Sequence, residues 1–226
     1  MDVSILKPDF ALEHRLWDKS YRVVGIDEAG RGTWAGPLFV GAVWLKPQHV
    51  VALKSLVAAG KVRDSKKLSS RQRVTVYRAL LAEGVEFAVG EAVAPEIDSI
   101  GIERAFQSAL RRALDALTGM GIQSFPLSPD APLALLVDGK QYAGLPVGPD
   151  IEVFAEDKLD NACVAVALAS IVAKVHQEAT MRGLDFLYPE YGFAKHNGYM
   201  TQMHREGVKK HGLSIVHRKT WRNPDV

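Results

Sequence analysis

The chain has 226 residues, 47% of them hydrophobic and 24% charged, with a formal net charge of +2, so it can bury a full core and has the composition of an ordinary globular domain. Its one cysteine, Cys163, excludes an internal disulfide and a four-cysteine zinc site. The N-terminus, with Asp2 and Lys7, does not read as a secretory leader, and the longest apolar run, residues 162–169, is too short to cross a bilayer, so a cytoplasmic protein is expected.

In chain order, residues 23–26 and 38–44 read as two antiparallel strands joined by a glycine turn and Gly36-Pro37. The first runs into Asp27-Glu28-Ala29-Gly30-Arg31-Gly32. Neighbouring side chains on a strand point to opposite faces, so Asp27 and Glu28 are expected to share a ligand only where the strand ends and the backbone bends. Gly30 and Gly32 suit that bend, and Arg31 offers a planar donor fork for phosphate. The same residues also make a common solvent-facing strand end, and they match neither the P-loop nor the dinucleotide-binding pattern. Ser69 or Ser70 can cap a helix reaching about Leu81, followed by a third strand over 85–93 and a helix over 102–117. After a turn-rich connection at 119–132, the apolar run 133–137 reads as a strand buried on both faces and ends in Asp138-Gly139. Residues 151–154 form the last expected strand, and a long buried helix is expected from about Asp160 to Met181. Residues 1–183 are read as an α/β domain, and 184–226 as a helical appendage of that domain.

Asp27, Glu28, Asp138 and Asp160 all fall at strand ends or at the start of the buried helix. Carboxylates that converge repel one another unless cations neutralise them, and oxygen-only ligands favour Mg²⁺ or Mn²⁺. Two such ions about 4 Å apart would clamp the attacking water and the leaving oxygen of a phosphodiester displacement. The plainer alternatives are an N-cap for Asp160 and an Asp-Gly turn for Asp138. Between 195 and 222 stand Lys195, Arg205, Lys209, Lys210, Arg218, Lys219 and Arg222 against Glu206 alone. This charge fits a surface following a nucleic-acid backbone, or a solvated helical face. His196, His204, His211 and His217 match no zinc spacing, and Cys163 reads as packing.

Six blocks occur in an order that resembles bacterial ribonuclease HII across nearly the whole chain: residues 25–32, Asp64-Ser65-Lys66-Lys67-Leu68-Ser69, Glu96-Ile97-Asp98, Val137-Asp138-Gly139, residues 169–175 and residues 191–199. The resemblance implies a ribonuclease H-like mixed five-stranded sheet flanked by helices, with a C-terminal helical segment. It implies cleavage of RNA in RNA/DNA hybrids and nicking of duplex DNA 5′ of an embedded ribonucleotide, in ribonucleotide removal and primer processing. Products would carry 3′-hydroxyl and 5′-phosphate ends. By position, Asp27, Glu28, Asp138 and Asp160 resemble the family's carboxylates for two Mg²⁺ or Mn²⁺ ions; Asp157 is a rival for the last place. Gly30, Arg31 and Gly32 resemble the family's reader of the ribose 2′-hydroxyl, the group that separates RNA from DNA. Tyr199 resembles its junction-sensing tyrosine. Lys66 and Lys67 would hold phosphates near the scissile bond, with Arg218 and Lys219 along the duplex backbone.

A monomer without membrane contact is implied, and no clamp-binding tail stands out. The sister ribonuclease HIII carries an extra N-terminal domain, for which the 26 residues before Asp27 are too few. A non-catalytic hybrid-binding module is the rival of another class. The chain departs from the family pattern at Thr33 (usually proline), Gly101 (asparagine), Glu178 (aspartate), Asn197 (lysine) and Trp221 (phenylalanine).

Overall fold

The computed structural model describes residues 7–118, 132–145, 147–148 and 150–221. Five strands, β1 (Arg22–Ala29), β2 (Leu38–Leu45), β3 (Glu86–Ala92), β4 (Leu133–Asp138) and β5 (Ile151–Glu156), form one mixed sheet in the order β3-β2-β1-β4-β5. Pairing is antiparallel between β1, β2 and β3 and parallel between β1, β4 and β5. The helices are α1 (Ala11–Trp17), α2 (His49–Ala58), α3 (Ser70–Ala82), α4 (Ala94–Ile100), α5 (Ile102–Thr118), α6 (Val164–Leu187), α7 (Phe193–His196) and α8 (Gln202–His211).

Strand alternation divides the core into two layers. Val23, Val43, Ala134 and Leu136 pack with Val76 and Leu80 of α3 and with α6. Val24, Ile26, Val40, Leu135 and Val137 pack with Phe106, Ala109 and Ala113 of α5. On the first face α6 lies against bare backbone. A Cβ on Gly25 would stand 2.2 Å from the Ala165 carbonyl carbon, and one on Gly41 would stand 2.4 Å from the Ala169 oxygen. This approach buries residues 164–173 and sets α6 against β1 at Gly25, two residues before Asp27. No helix among the described residues is long and apolar enough to cross a membrane.

Most expected elements form within a residue or two of their predicted ends. Ser69 caps α3 with a capping box: its hydroxyl accepts from Gln72 N at 3.3 Å, and Gln72 Oε1 accepts from Ser69 N at 2.8 Å. Three differences bear on the site. First, β1 does not end before its carboxylates, because pairing with β2 continues to Ala29 opposite Phe39. Second, the buried helix starts at Val164 rather than Asp160: Lys158 is left-handed (φ 63°), Leu159–Asn161 form a 3₁₀ turn, and Cys163 is extended. Third, α1, absent from the sequence reading, supplies the buried Glu13, whose carboxylate accepts from Ala165 N at 2.8 Å and Cys163 Sγ at 3.2 Å. It thereby caps α6, which then runs unbroken past residue 184. Residues 119–131 of the turn-rich connection lie outside the described residues, as does Arg222.

Candidate active site

Parallel register places Ile26 opposite Val137, so Asp27 and Asp138 follow side by side on adjacent strands. Strand alternation turns Asp27 toward α6, beside Ser170, and turns Glu28 toward the α5 face, beside Tyr142. Asp138 Oδ1 accepts from Leu159 N at 2.6 Å, so Asp138 ties β4 to the 3₁₀ turn that bears Asp160. Asp160 Oδ1 in turn accepts from Asn161 Nδ2 at 2.6 Å. Asp157 is exposed and accepts from Lys140 N at 3.0 Å, whereas Asp160 is buried beside Asp138.

Burial raises all four pKa values, and repulsion from other members of the set adds to it at Asp27, Glu28 and Asp160. Burial, then Glu28, Asp138 and Asp160, hold Asp27 well above the usual carboxylate range. Burial and Asp138 push Glu28 to about 7 against the opposing charges of Arg31 and Lys66. Burial, then Asp138 and Asp64, push Asp160 to about 6, and burial raises Asp138 despite the N–H that Leu159 donates to it. Among the described residues no three His, Cys, Asp or Glu side chains are gathered closely enough to hold an ion. Bare carboxylates that repel one another have no reason to close further.

A proton that Glu28 keeps up to about 7, against 4.5 ordinarily, means the folded state binds more protons than the unfolded chain across that window. The stability this gives is full below the ordinary value and is lost as pH rises through the folded one. In EDTA, Glu28→Gln is therefore expected to gain thermal stability relative to the wild type as pH rises through about 7. A difference independent of pH between about 5 and 9 contradicts this.

The basic rim is held from behind. Buried Arg73 donates to Ser65 O at 2.6 Å, to Leu68 O and to the Glu178 carboxylate, fixing the loop that carries Lys66 and Lys67. Ser70 Oγ completes Glu178 at 2.9 Å, so the longer acid keeps the buried pair. Crowding works to lower the Lys66 pKa, but Asp27, Asp64 and Asp160 outweigh it and hold the ammonium above its ordinary value. Lys67 Nζ donates to Asn161 Oδ1 at 2.6 Å and so reaches Asp160 through one amide.

The glycine turn follows β1. Gly30 has φ 84°, and a Cβ there would stand 2.7 Å from Pro37 O; a Cβ on Gly32 would meet nothing within 4 Å. Thr33, fully buried, bonds Gly30 O through Oγ1 at 3.0 Å, holding by a hydrogen bond a turn that proline would stiffen. The Arg31 fork is engaged with Tyr142 Oη and Glu103 rather than free. Tyr142 stacks on Phe106 with centroids 3.9 Å apart. Tyr199 is 41% exposed, with Lys174 Nζ 5.7 Å from its ring centroid. Its neighbour Gly198 accepts from Trp34 N at 2.8 Å and Ala35 N at 3.3 Å, which brings the tyrosine segment onto the glycine turn.

Arg218 corrects the sequence reading. It is fully buried, not laid along a surface: Nη2 donates to Gly30 O at 2.6 Å and Gly36 O at 2.9 Å, Nη1 to Arg31 O at 2.8 Å, and Nε to Gly36 O at 3.1 Å. Five donors in a fixed fork match three converging carbonyls. Burial pushes its pKa down only to about 10, so it stays charged. Lys219 is exposed, and its N–H and that of Thr220 donate to Asp98 at 2.9 Å. Tyr142, Asn161, Ser170 and Glu103 were not singled out from the sequence. Ser170 alone lay in a quoted block; the others carry no local signal beyond their polarity.

The family model for Ribonuclease HII matches residues 24–224. Ribonuclease HII of Thermus thermophilus is 41% identical over 208 residues, covering 92% of this chain and 90% of that protein. Ribonuclease HII of Roseiflexus castenholzii is 39% identical over 216 residues, covering 95% and 88%. Among solved structures, ribonuclease H2 of Pyrococcus horikoshii superposes with a TM-score of 0.68 at 26% identity, covering 89% of this chain and 94% of that one. Bst-RNase HIII in complex with Mn²⁺ superposes with a TM-score of 0.66 at 19% identity, covering 92% and 69%, and so shares the fold. Matched over most of its length by family model, relatives and fold alike, the chain belongs to the ribonuclease HII family and is a ribonuclease H-type hydrolase.

Proposed function

We propose that this enzyme cuts the RNA of RNA/DNA hybrids and also nicks duplex DNA on the 5′ side of an embedded ribonucleotide, leaving 3′-hydroxyl and 5′-phosphate ends. The observation that carries the finer reading is Gly32. It has open space where a side chain would stand, in the turn that links β1 to Trp34, whose N–H donates to Gly198 O beside Tyr199. Nothing in the protein needs glycine there, so the need is assigned to a ligand whose sugar approaches the main chain. Tyr199, half exposed on the other side, can stack on that sugar or base.

An all-oxygen donor set with raised carboxyl pKa values fits hard divalent cations, whose charge would relieve the repulsion and let the carboxylates close. Asp27, Glu28, Asp138 and Asp160 would hold them. Two Mg²⁺ or Mn²⁺ ions, when bound, supply activation of water and neutralisation of the leaving oxygen. The chain's own groups do the rest. Lys66 balances Asp27 and Asp160, and Lys67 and Lys219 are exposed to phosphates. Water attacks the phosphorus and the 3′-oxygen departs, with no side chain acting as nucleophile.

Ligation and primer extension of the products test the chemistry. The 5′ end is expected to ligate directly and the 3′ end to be extended; cyclic or 3′-phosphate ends would exclude this displacement. Gly32→Ala tests the turn. It is expected to leave the thermal midpoint unchanged, since its Cβ meets nothing within 4 Å, while selectivity for a single ribonucleotide over DNA falls about tenfold or more, one lost sugar contact. Gly30→Ala is expected to destabilise as well, by about 1–3 kcal/mol, because φ is positive and Pro37 O is in the way. Equal selectivity in Gly32→Ala and wild type would remove the turn from the reading.

A further inference from the structure

The histidines that form no zinc pattern form something else. His204 and His217 are 0% and 1% exposed, with Nε2 atoms 3.0 Å apart, enclosed by Trp34, Tyr191 and Phe193. The outer atoms fix the protons. Ser214 N–H, which can only donate, lies 3.0 Å from His217 Nδ1, so that nitrogen is bare. Tyr199 O, which can only accept, lies 2.9 Å from His204 Nδ1, so that nitrogen carries a proton. Neutral His217 therefore donates through Nε2 to the bare Nε2 of His204, and the chain runs one way, from Ser214 through both imidazoles to the Tyr199 carbonyl. A proton added anywhere breaks it, in keeping with the neutral state that burial favours for both rings.

The two ends of this chain hold the two halves of the ribonucleotide reader. His217 bridges Ala35 and immediately precedes Arg218, the clasp of the glycine turn; His204 holds the main chain of Tyr199. Resting on the junction roles proposed above, we infer that His204 and His217 are positioning residues for ribonucleotide recognition. Their relay sets the Tyr199 segment at a fixed place relative to the turn at residues 30–32.

The test uses the full chain. In wild type, nitrogen-resolved imidazole NMR is expected to show His204 as the Nδ1–H tautomer and His217 as the Nε2–H tautomer at neutral pH. The reverse assignment, or a charged ring, overturns the relay even if every variant fails to fold. His204→Phe keeps the ring packing and loses both bonds; His204→Asn restores a donor at the Nδ1 position. The ratio of kcat/KM on a single-ribonucleotide duplex to that on a continuous hybrid is expected to fall about tenfold in His204→Phe, roughly one lost hydrogen bond, and to recover at least partly in His204→Asn. A folded His204→Phe with the wild-type ratio overturns the relay alone. A wild type that does not cut the single-ribonucleotide duplex overturns the junction roles, and the relay's purpose with them.

Discussion

Asp138→Asn is expected to abolish cleavage, lowering turnover by at least about 10³-fold, while binding of hybrid stays within a few fold of wild type. The substitution is nearly isosteric. The amide oxygen can still accept from Leu159 N, the 2.6 Å bond that ties β4 to the 3₁₀ turn, so β4 and Asp160 keep their places. What disappears is one negative charge at the centre of four, beside Asp27 in the parallel register. Two further consequences separate charge loss from misfolding. Repulsion on Asp27, Glu28 and Asp160 falls, so the ion-free variant is expected to be at least as stable as wild type at neutral pH. Its midpoint is expected to respond less to Mg²⁺. Unchanged turnover in Asp138→Asn would remove the carboxylate site from the account.

Arg218→Met is the second large effect, and it decides between two roles for one residue. Its loss leaves the carbonyls of Gly30, Arg31 and Gly36 buried without their fork. Unsatisfied groups of this kind cost about 1–3 kcal/mol each, and partial relaxation leaves a net loss of about 3–5 kcal/mol. For a chain of this length that lowers the midpoint by about 10 °C. On the junction role proposed for residues 30–32, selectivity for the ribonucleotide is expected to fall with it, because that turn loses its clasp. Arg218→Lys is expected to recover little, since one ammonium cannot span three carbonyls. A phosphate contact behaves differently: stability is unchanged and the slope of log affinity against log salt drops by about one. That second pattern is expected of Lys219→Ala, whose side chain is exposed. If Arg218→Met showed it instead, the buried clasp would be wrong.

Arg218 also shows where the sequence stops being legible. Counting charges from 195 to 222 finds basic residues but not their direction, and the aromatic cluster around Trp34 together with the Ala35–His217 bridge turns this one inward. The strands were readable because burial writes itself into local pattern: the run at 133–137 is apolar throughout, and both its faces are covered. A cap at Ser69 or Ser70 was readable as a start signal for the same local reason, and the structure adds that Ser69 is the cap and forms a box with Gln72. The start of α6 was not, because its cap, Glu13, lies some 150 residues upstream on a short helix with no strong period of its own. Three of the acidic positions were visible as strand-end carboxylates and Asp160 as the start of the buried helix, and Tyr142 and Asn161 became meaningful only once Glu28 and Asp160 were seen beside them.

The most direct test is cleavage of an end-labelled DNA duplex containing one ribonucleotide, with Mg²⁺ or Mn²⁺ and with EDTA, beside an all-DNA duplex. A single nick immediately 5′ of the ribonucleotide is expected, dependent on the divalent ion and absent from the all-DNA control. Cutting that persists in EDTA, or that proceeds equally on all-DNA duplex, would contradict it.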